Sequence, residues 1–502
     1  MRRWLLALKW VGIILVLAGG LFLRTYDLNR QSYWMDEGYT VNAVISQLQN
    51  GTDHLSSILD SGERYFCPMY CLPTAVISQV FGEQPFSYRI LAALFGMIFI
   101  GVVYLFTKAF FENKRAAMLA AFLTTFSYWQ IAWSRQARWY TVLEVFFWLS
   151  FLFFHYFLKA ETTKKKVIFL SLTAISTIIA IATQGISSLL PLLLMGWFIY
   201  EKRPKKRQVI LAAIIALVFI VVTKFGLGLY FILPTLENID LSNNVSYYIE
   251  FYTRNYWPFI VLGIYGIRRL SKEQRQKIFL LCIPFVAYIL LIGTLSDIVQ
   301  YRYLFHLTPI FYIVSSVITI DILAKIPNYL HKRALALLGV AVFFVLGLGI
   351  IAPKDFYTLE ADDPAVLTRS YYAYTPQSEF TKAYEVIKKR IRPEEIVISS
   401  HPQFNKIFLG QPGYWLKYGY LGGAEADKLI RNNTEYYVNA KIITSKEEVE
   451  KIMEEKHGYV IFDLMSTDER IPTDIIQYIK DHSGLIFYDE RNSYSQIWIY
   501  HF

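Results

Sequence analysis

The chain has 502 residues, of which 55% are hydrophobic, 17% aromatic and only 18% charged, with a mean hydropathy of +0.33. Length alone predicts three or four soluble domains, but no soluble protein of this size hides so much apolar surface, so composition predicts a polytopic membrane protein. The net charge of +10 does not describe one basic face for nucleic acid: residues from Pro353 onward carry 18 Lys+Arg against 23 Asp+Glu, a balance of −5, and the +15 of the remainder lies in short clusters between apolar runs.

In chain order, Trp4 to Leu23 follows Arg2 and Arg3 and has no small-residue cleavage site after it, which predicts a retained first span rather than a signal peptide. Further apolar runs of spanning length fall at about 89–110, 116–133, 142–159, 167–183, 185–200, 208–230, 256–267, 278–295, 303–323 and 334–352, giving about 11 spans. With the N-terminus inside, the inner loops are Lys114-Arg115, Lys164 to Lys166, Lys202 to Arg207, Arg268 to Lys277 and Lys325 to Arg333. Every one is basic, as the positive-inside rule requires. The outer loops carry Asp36, Glu37, Asp53, Asp60, Glu63, Glu237, Asp240 and Asp297.

Phe66 to Phe81 is short and contains Pro68 and Pro73, so it reads as an amphipathic helix on the outer surface within a long first loop, 24–88. Of the three cysteines, Cys282 reads as a core residue. Cys67 and Cys71 sit four apart on a predicted helix, a spacing ill suited to a disulfide, and only His54 lies near enough to suggest a metal. The expected division is a transmembrane domain over 1–352 and an outer soluble α/β domain over 353–502. In the latter, helices at Thr381–Ile391, Lys446–Glu455 and Thr473–Asp481 alternate with strands at Ile396–Ser399, Lys441–Ile443, Tyr459–Asp463, Leu485–Tyr488 and Gln496–Tyr500.

The notable polar clusters all fall at outer ends of spans: Asp36-Glu37 after the first, Ser134 to Tyr140 after the third with Glu144 inside the fourth, and Gln300-Tyr301-Arg302-Tyr303 before the tenth. Carboxylates beside hydrocarbon need water, a partner or a substrate. Arginines on the outer side run against topological bias, and phosphate suits the guanidinium fork best. Such a set fits glycosyl transfer from a lipid phosphate: Asp36 as general base, and Arg135, Arg138 and Arg302 as fixed cations for the leaving phosphate. No nucleotide and no required cofactor enter that chemistry. The blander alternatives are an Asp-Glu helix cap, arginines that snorkel to headgroups, a Glu144–Arg138 structural pair and an aromatic belt around Arg302.

These residues resemble the C-type (GT-C) membrane glycosyltransferases, in particular the protein O-mannosyltransferase and lipid A aminoarabinose transferase group. The likeness rests on Trp34-Met-Asp36-Glu37 with Tyr39 following, on Phe81-Gly82-x-x-Pro85-Phe86-x-x-Arg89, on Ser134-Arg135-x-Ala137-Arg138-x-Tyr140 with Glu144, and on Tyr301-Arg302-Tyr303-Leu304 with Pro309. It covers the membrane region to about residue 325. The resemblance implies a polyprenyl-phosphate-linked sugar as donor, inversion at the anomeric carbon, and a site on the outer side of the cytoplasmic membrane. It implies catalysis by Asp36 with Glu37 beside it, and lipid-phosphate binding by Arg135, Arg138, Arg302 and Tyr301. Glu144, Tyr39, Arg89 and Tyr140 then fall to the acceptor or sugar, which is a protein, lipid or glycan. A divalent metal stays possible on the same resemblance. The aminoarabinose transferases carry Glu-Lys-Pro in the first loop, where this chain reads Phe66-Cys67-Pro68. The competing expectations are a transporter or lipid flippase, whose ionisable groups belong near the bilayer midplane, and a non-catalytic assembly partner of the same fold.

Overall fold

The computed structural model describes residues 2–30, 32–50, 68–203, 205–208, 210, 213–214, 216, 218, 244–295, 301–326, 339, 379–416, 430–431, 434–435, 438–464, 471–490 and 496–502. The predicted spans 208–230 and 334–352 lie largely outside these residues, as do His54, Cys67, Asp297 and the side chain of Tyr301. The chain divides into two compact units, Met1–Tyr26 with Cys67–Tyr70 and Arg89–Phe356, and Asp27–Phe66 with Cys71–Tyr88 and Tyr357–Phe502.

The helices of the first unit are α1 (Arg2–Thr25), α4 (Pro85–Phe111, which starts in the second unit), α5 (Lys114–Phe126), α6 (Tyr128–Ser134), α7 (Tyr140–Lys159), α8 (Thr163–Thr183), α9 (Leu190–Lys202), α10 (Val245–Gly266), α11 (Lys272–Leu295) and α12 (Pro309–Lys325). Among the described residues, five stretches are long and apolar enough to cross a membrane: Pro85–Phe111, Tyr140–Lys159, Thr163–Thr183, Lys272–Thr294 and Arg302–Lys325. The chain is a membrane protein.

Two predicted spans differ in detail. The run at 116–133 is broken at Ser127, whose extended backbone ends α5 while its hydroxyl accepts from Gln130 N at the start of α6. Serine favours such a cap because its oxygen replaces a missing intrahelical acceptor. The same hydroxyl lies 2.5 Å from the Tyr312 hydroxyl of α12. The weak span at 256–267 is the end of a longer helix, α10, of 22 residues. Between α7 and α8 the turn is fixed by Thr162, whose hydroxyl accepts from Lys165 N, and by a Thr177–Ser150 hydrogen bond of 3.2 Å between the helices.

The second unit holds α2 (Met35–Asn50), most of α3 (Pro68–Phe81), and the C-terminal α/β fold. Cys71 is disulfide-bonded, which corrects the sequence expectation. The expectation placed both cysteines on one helix; Cys71 lies within α3, and Cys67 lies outside the described residues.

The C-terminal fold runs α13 (Phe380–Lys388), β1 (Ile396–Ser399), α14 (Pro402–Leu409), β2 (Tyr414–Leu416), β3 (Ile430–Arg431), β4 (Thr434–Glu435), β5 (Lys441–Ile443), α15 (Lys446–Glu455), β6 (Gly458–Asp463), α16 (Thr473–Asp481), β7 (Gly484–Glu490) and β8 (Gln496–His501). Its sheet has the order β3-β4-β5-β2-β1-β6-β8-β7, with β5, β2, β1 and β6 parallel and the two ends antiparallel. Period-two alternation sends Ile398, Val460 and Phe462 to one face, where Val449 and Met453 of α15 and Ile475 and Ile479 of α16 cover them. Ser399 points to the opposite face, where the Tyr384 hydroxyl of α13 lies 3.2 Å away. Helices therefore cover both faces, as a parallel sheet requires.

Candidate active site

In the first unit, the segment between α6 and α7 carries Arg135 and Arg138, and a 3-10 helix, Tyr301–Leu307, carries Arg302 ahead of α12. All three arginines are buried. The Arg138 guanidinium carbon lies 4.0 Å from the Trp139 ring and 5.6 Å from the Tyr140 ring, and that of Arg302 lies 5.7 Å from the Tyr303 ring. Aromatic faces stabilise a desolvated cation and hold its plane. Arg135 Nη1 donates to the carbonyls of Leu23 (3.1 Å) and Tyr26 (2.7 Å), so it closes the C-terminal end of α1, where unpaired carbonyls attract a cation. Tyr140 packs its ring 4.7 Å from Trp133, and Arg89 is buried on α4.

The two arginine-bearing segments are tied at a buried point. Gln130 Nε2 of α6 donates to Glu144 Oε1 of α7 at 2.7 Å and to the Thr308 hydroxyl, next to α12, at 3.3 Å. Glu144 is fully buried. The 3-10 helix is held from two further sides: Trp148 Nε1 donates to the His306 carbonyl at 2.9 Å, and the Tyr252 hydroxyl to the Leu304 carbonyl at 3.2 Å.

Sequence reasoning gave no role to Arg24, which is also fully buried. Its Nη1 donates to Thr125 O at 3.0 Å and its Nη2 to Thr124 O at 3.1 Å, closing the last turn of α5, and it lies within electrostatic reach of Glu144. Gly96 of α4 makes the room: a Cβ there would sit 2.7 Å from Ser134 Cβ and 3.1 Å from Arg24 Nε. Arginine at the end of a first span was the available signal, but its partners lie about a hundred residues away.

Asp36, Glu37 and Tyr39 belong to the second unit, on the first turns of α2. Asp36 and Tyr39 are half-buried, whereas Glu37 is fully buried. Glu37 Oε2 accepts from Trp34 N at 3.0 Å, which is the reciprocal half of a capping box at the helix start. The adjacent carboxylates thus differ in setting: one is consumed by the helix N-terminus and one reaches partial exposure. Among the described residues no three His, Cys, Asp or Glu side chains form a metal-binding group.

Residues 67–225 match the family described as dolichyl-phosphate-mannose-protein mannosyltransferase. No curated protein matches the chain. Among solved structures, the chain is similar to ArnT from Cupriavidus metallidurans in the apo state, with TM-score 0.61 and 14% identity over 99% of this chain and 98% of that one. ArnT bound to undecaprenyl phosphate gives TM-score 0.60 and 13% identity, covering 98% of each chain. The archaeal oligosaccharyltransferase AglB from Archaeoglobus fulgidus, in complex with an inhibitory peptide and a dolichol-phosphate, gives TM-score 0.53 and 12% identity over 91% of this chain and 69% of that one. The mostly helical membrane unit, the strand-containing C-terminal fold and these matches agree, and the chain has the fold of the GT-C membrane glycosyltransferases.

Proposed function

We propose that the chain transfers a sugar from a polyprenyl-phosphate donor to an acceptor outside the cytoplasm, with inversion, at a site facing outward from the cytoplasmic membrane. The observation that carries the reading is the pair of buried, aromatic-backed guanidinium groups, Arg138 and Arg302, on segments joined through Gln130. A guanidinium fork on a fixed, aromatic-backed mount suits a phosphate, and the solved ArnT structure bound to undecaprenyl phosphate supports a lipid phosphate as that group.

In the proposed step, Asp36 takes the proton of an acceptor hydroxyl as its oxygen attacks the anomeric carbon. The bond from that carbon to the phosphate oxygen breaks, and its electron pair leaves with the lipid phosphate. Arg138 and Arg302 meet the growing charge, and Arg135 adds to the field from its place at the end of α1. Fixed cations suit this task because they need no reorganisation as the charge develops. Tyr301, Arg89, Tyr140, Tyr39 and Glu144 complete the proposed donor and acceptor surroundings. The steps use side chains alone, and none passes through a metal.

The test is transfer by the purified protein against a panel of polyprenyl-phosphate sugars. Asp36→Asn keeps the shape and removes the base, so product formation should fall by about 10²-fold or more while the lipid donor still binds. Full activity in that variant removes Asp36 from the mechanism. Movement of lipid across the bilayer with no glycosylated product in the wild type favours the flippase instead.

A further inference from the structure

The C-terminal α/β fold contains none of the residues assigned above to donor or acceptor, yet it belongs to the same compact unit as α2, the helix of Asp36. We propose that α14 of this fold is the bed on which α2 lies, and that Gly38, Asn42 and Gln403 are positioning residues for the Asp36 carboxylate. The inference rests on the reading of Asp36 as base.

The helix needs support. Its sequence, MDEGYTVNAVISQLQN, holds a glycine two residues after Asp36, several β-branched residues and no cation. A 16-residue helix of that composition is marginal alone, and its stability must come from packing. Val41 and Val44 are fully buried.

Contact with α14 is close and specific. Asn42 Nδ2 donates to Gln403 O of α14 at 2.8 Å and to Gly38 O of its own helix at 2.9 Å, so one amide fixes both the spacing and the rotation of α2. Glycine at 38 follows from this approach: a Cβ there would lie 2.7 Å from Gln403 Cγ and 3.0 Å from Phe404 Cε1. At the start of the helix, the Ser32 hydroxyl lies 3.3 Å from that of Thr381 and accepts from Thr381 N, and the Tyr33 ring sits 6.1 Å from Phe408.

The bed is itself rigid. α14 leaves the C-terminal end of β1 at His401, whose Nε2 lies 3.3 Å from Asp463 Oδ1 at the end of β6, both side chains buried. This is where strand order reverses: the chain steps from β1 to β2 and β5 on one side, then returns with β6 on the other. In open parallel sheets that crevice is the usual place for a ligand. Here α14 lies beside it and supports a helix. Asn405 adds a bond to Pro412 O at 2.9 Å and receives the Tyr384 hydroxyl, and the Phe380 ring packs tilted against Phe404 with centroids 4.4 Å apart.

A misplacement of about 1 Å at a reacting group can cost on the order of 10²-fold in rate. Gly38→Ala and Asn42→Ala should therefore lower kcat by roughly 10- to 100-fold while the KM for a polyprenyl-phosphate sugar stays within about twofold. Asn42→Ala adds no atoms, so it serves if Gly38→Ala does not fold. Amide hydrogen exchange on the full-length protein should show residues 35–50 losing protection in both variants, with the membrane helices unchanged. Lys451→Ala, on an exposed face of α15, is the control. Unchanged kcat in a variant whose α2 has lost protection overturns the inference, as does a kcat loss accompanied by deprotection throughout the protein. Asp36→Asn is measured beside them. If it is inactive and the Gly38 and Asn42 variants are fully active, the base stands and the bed falls; if it is active, the reading of Asp36 fails and this inference fails with it.

Discussion

Two adjacent carboxylates on one turn of helix sit in different environments. Glu37 closes the amino end of α2 through Trp34 N, whereas Asp36 is half-exposed on the same turn. Glu37→Gln keeps an acceptor for Trp34 N and should leave transfer within about tenfold of wild type, whereas Glu37→Ala should destabilise α2 by about 1 kcal/mol. Steady-state transfer and the exchange rate of the first α2 amides check the two claims. The acidic pair was legible in the sequence, but the difference in burial between its two members was not. A capping box is recognised by Ser or Thr at the first position, and here a tryptophan contributes only its backbone. Arg135 shows the same limit. Its place just after an apolar run was readable, whereas its use as a cap for α1 depends on carbonyls more than a hundred residues earlier.

Elements with a long apolar or strictly alternating pattern were read well from sequence. β1 and β5 fall where expected, and β6, β7 and β8 differ by one or two residues at their ends. α14, eight residues long, is too short to display a helical period, and it went unread together with β2. The break at Ser127 was hidden by apolar residues on both sides, since hydropathy averages over the cap that ends one helix and starts the next. The approach of α4 to Arg24 was hidden too, although a single glycine permits it. Gly96→Leu should push Ser134 and Arg24 aside and cost about 1–3 kcal/mol, read as a fall in the unfolding midpoint of the purified protein, while Gly101→Ala, where an added Cβ meets nothing, should be near neutral.

At the scale of the whole molecule, the basic loops of the sequence are the ground for proposing an inward N-terminus and an outward C-terminal fold. A cysteine at Lys451, whose side chain is 72% exposed, should react with a membrane-impermeant thiol reagent in intact cells. Labelling only after permeabilisation would reverse the proposed orientation. The bond from Asn42 to Gln403 joins residues 361 apart. At ordinary elongation rates of about 5–20 residues per second, the ribosome reaches the second partner roughly 20–70 s after the first. Throughout that interval α2 lacks the α14 contact proposed above to hold it. A premature stop anywhere before residue 402 would leave it so permanently, so on the proposed role of α14 the last fifth of the gene times when the chain becomes competent.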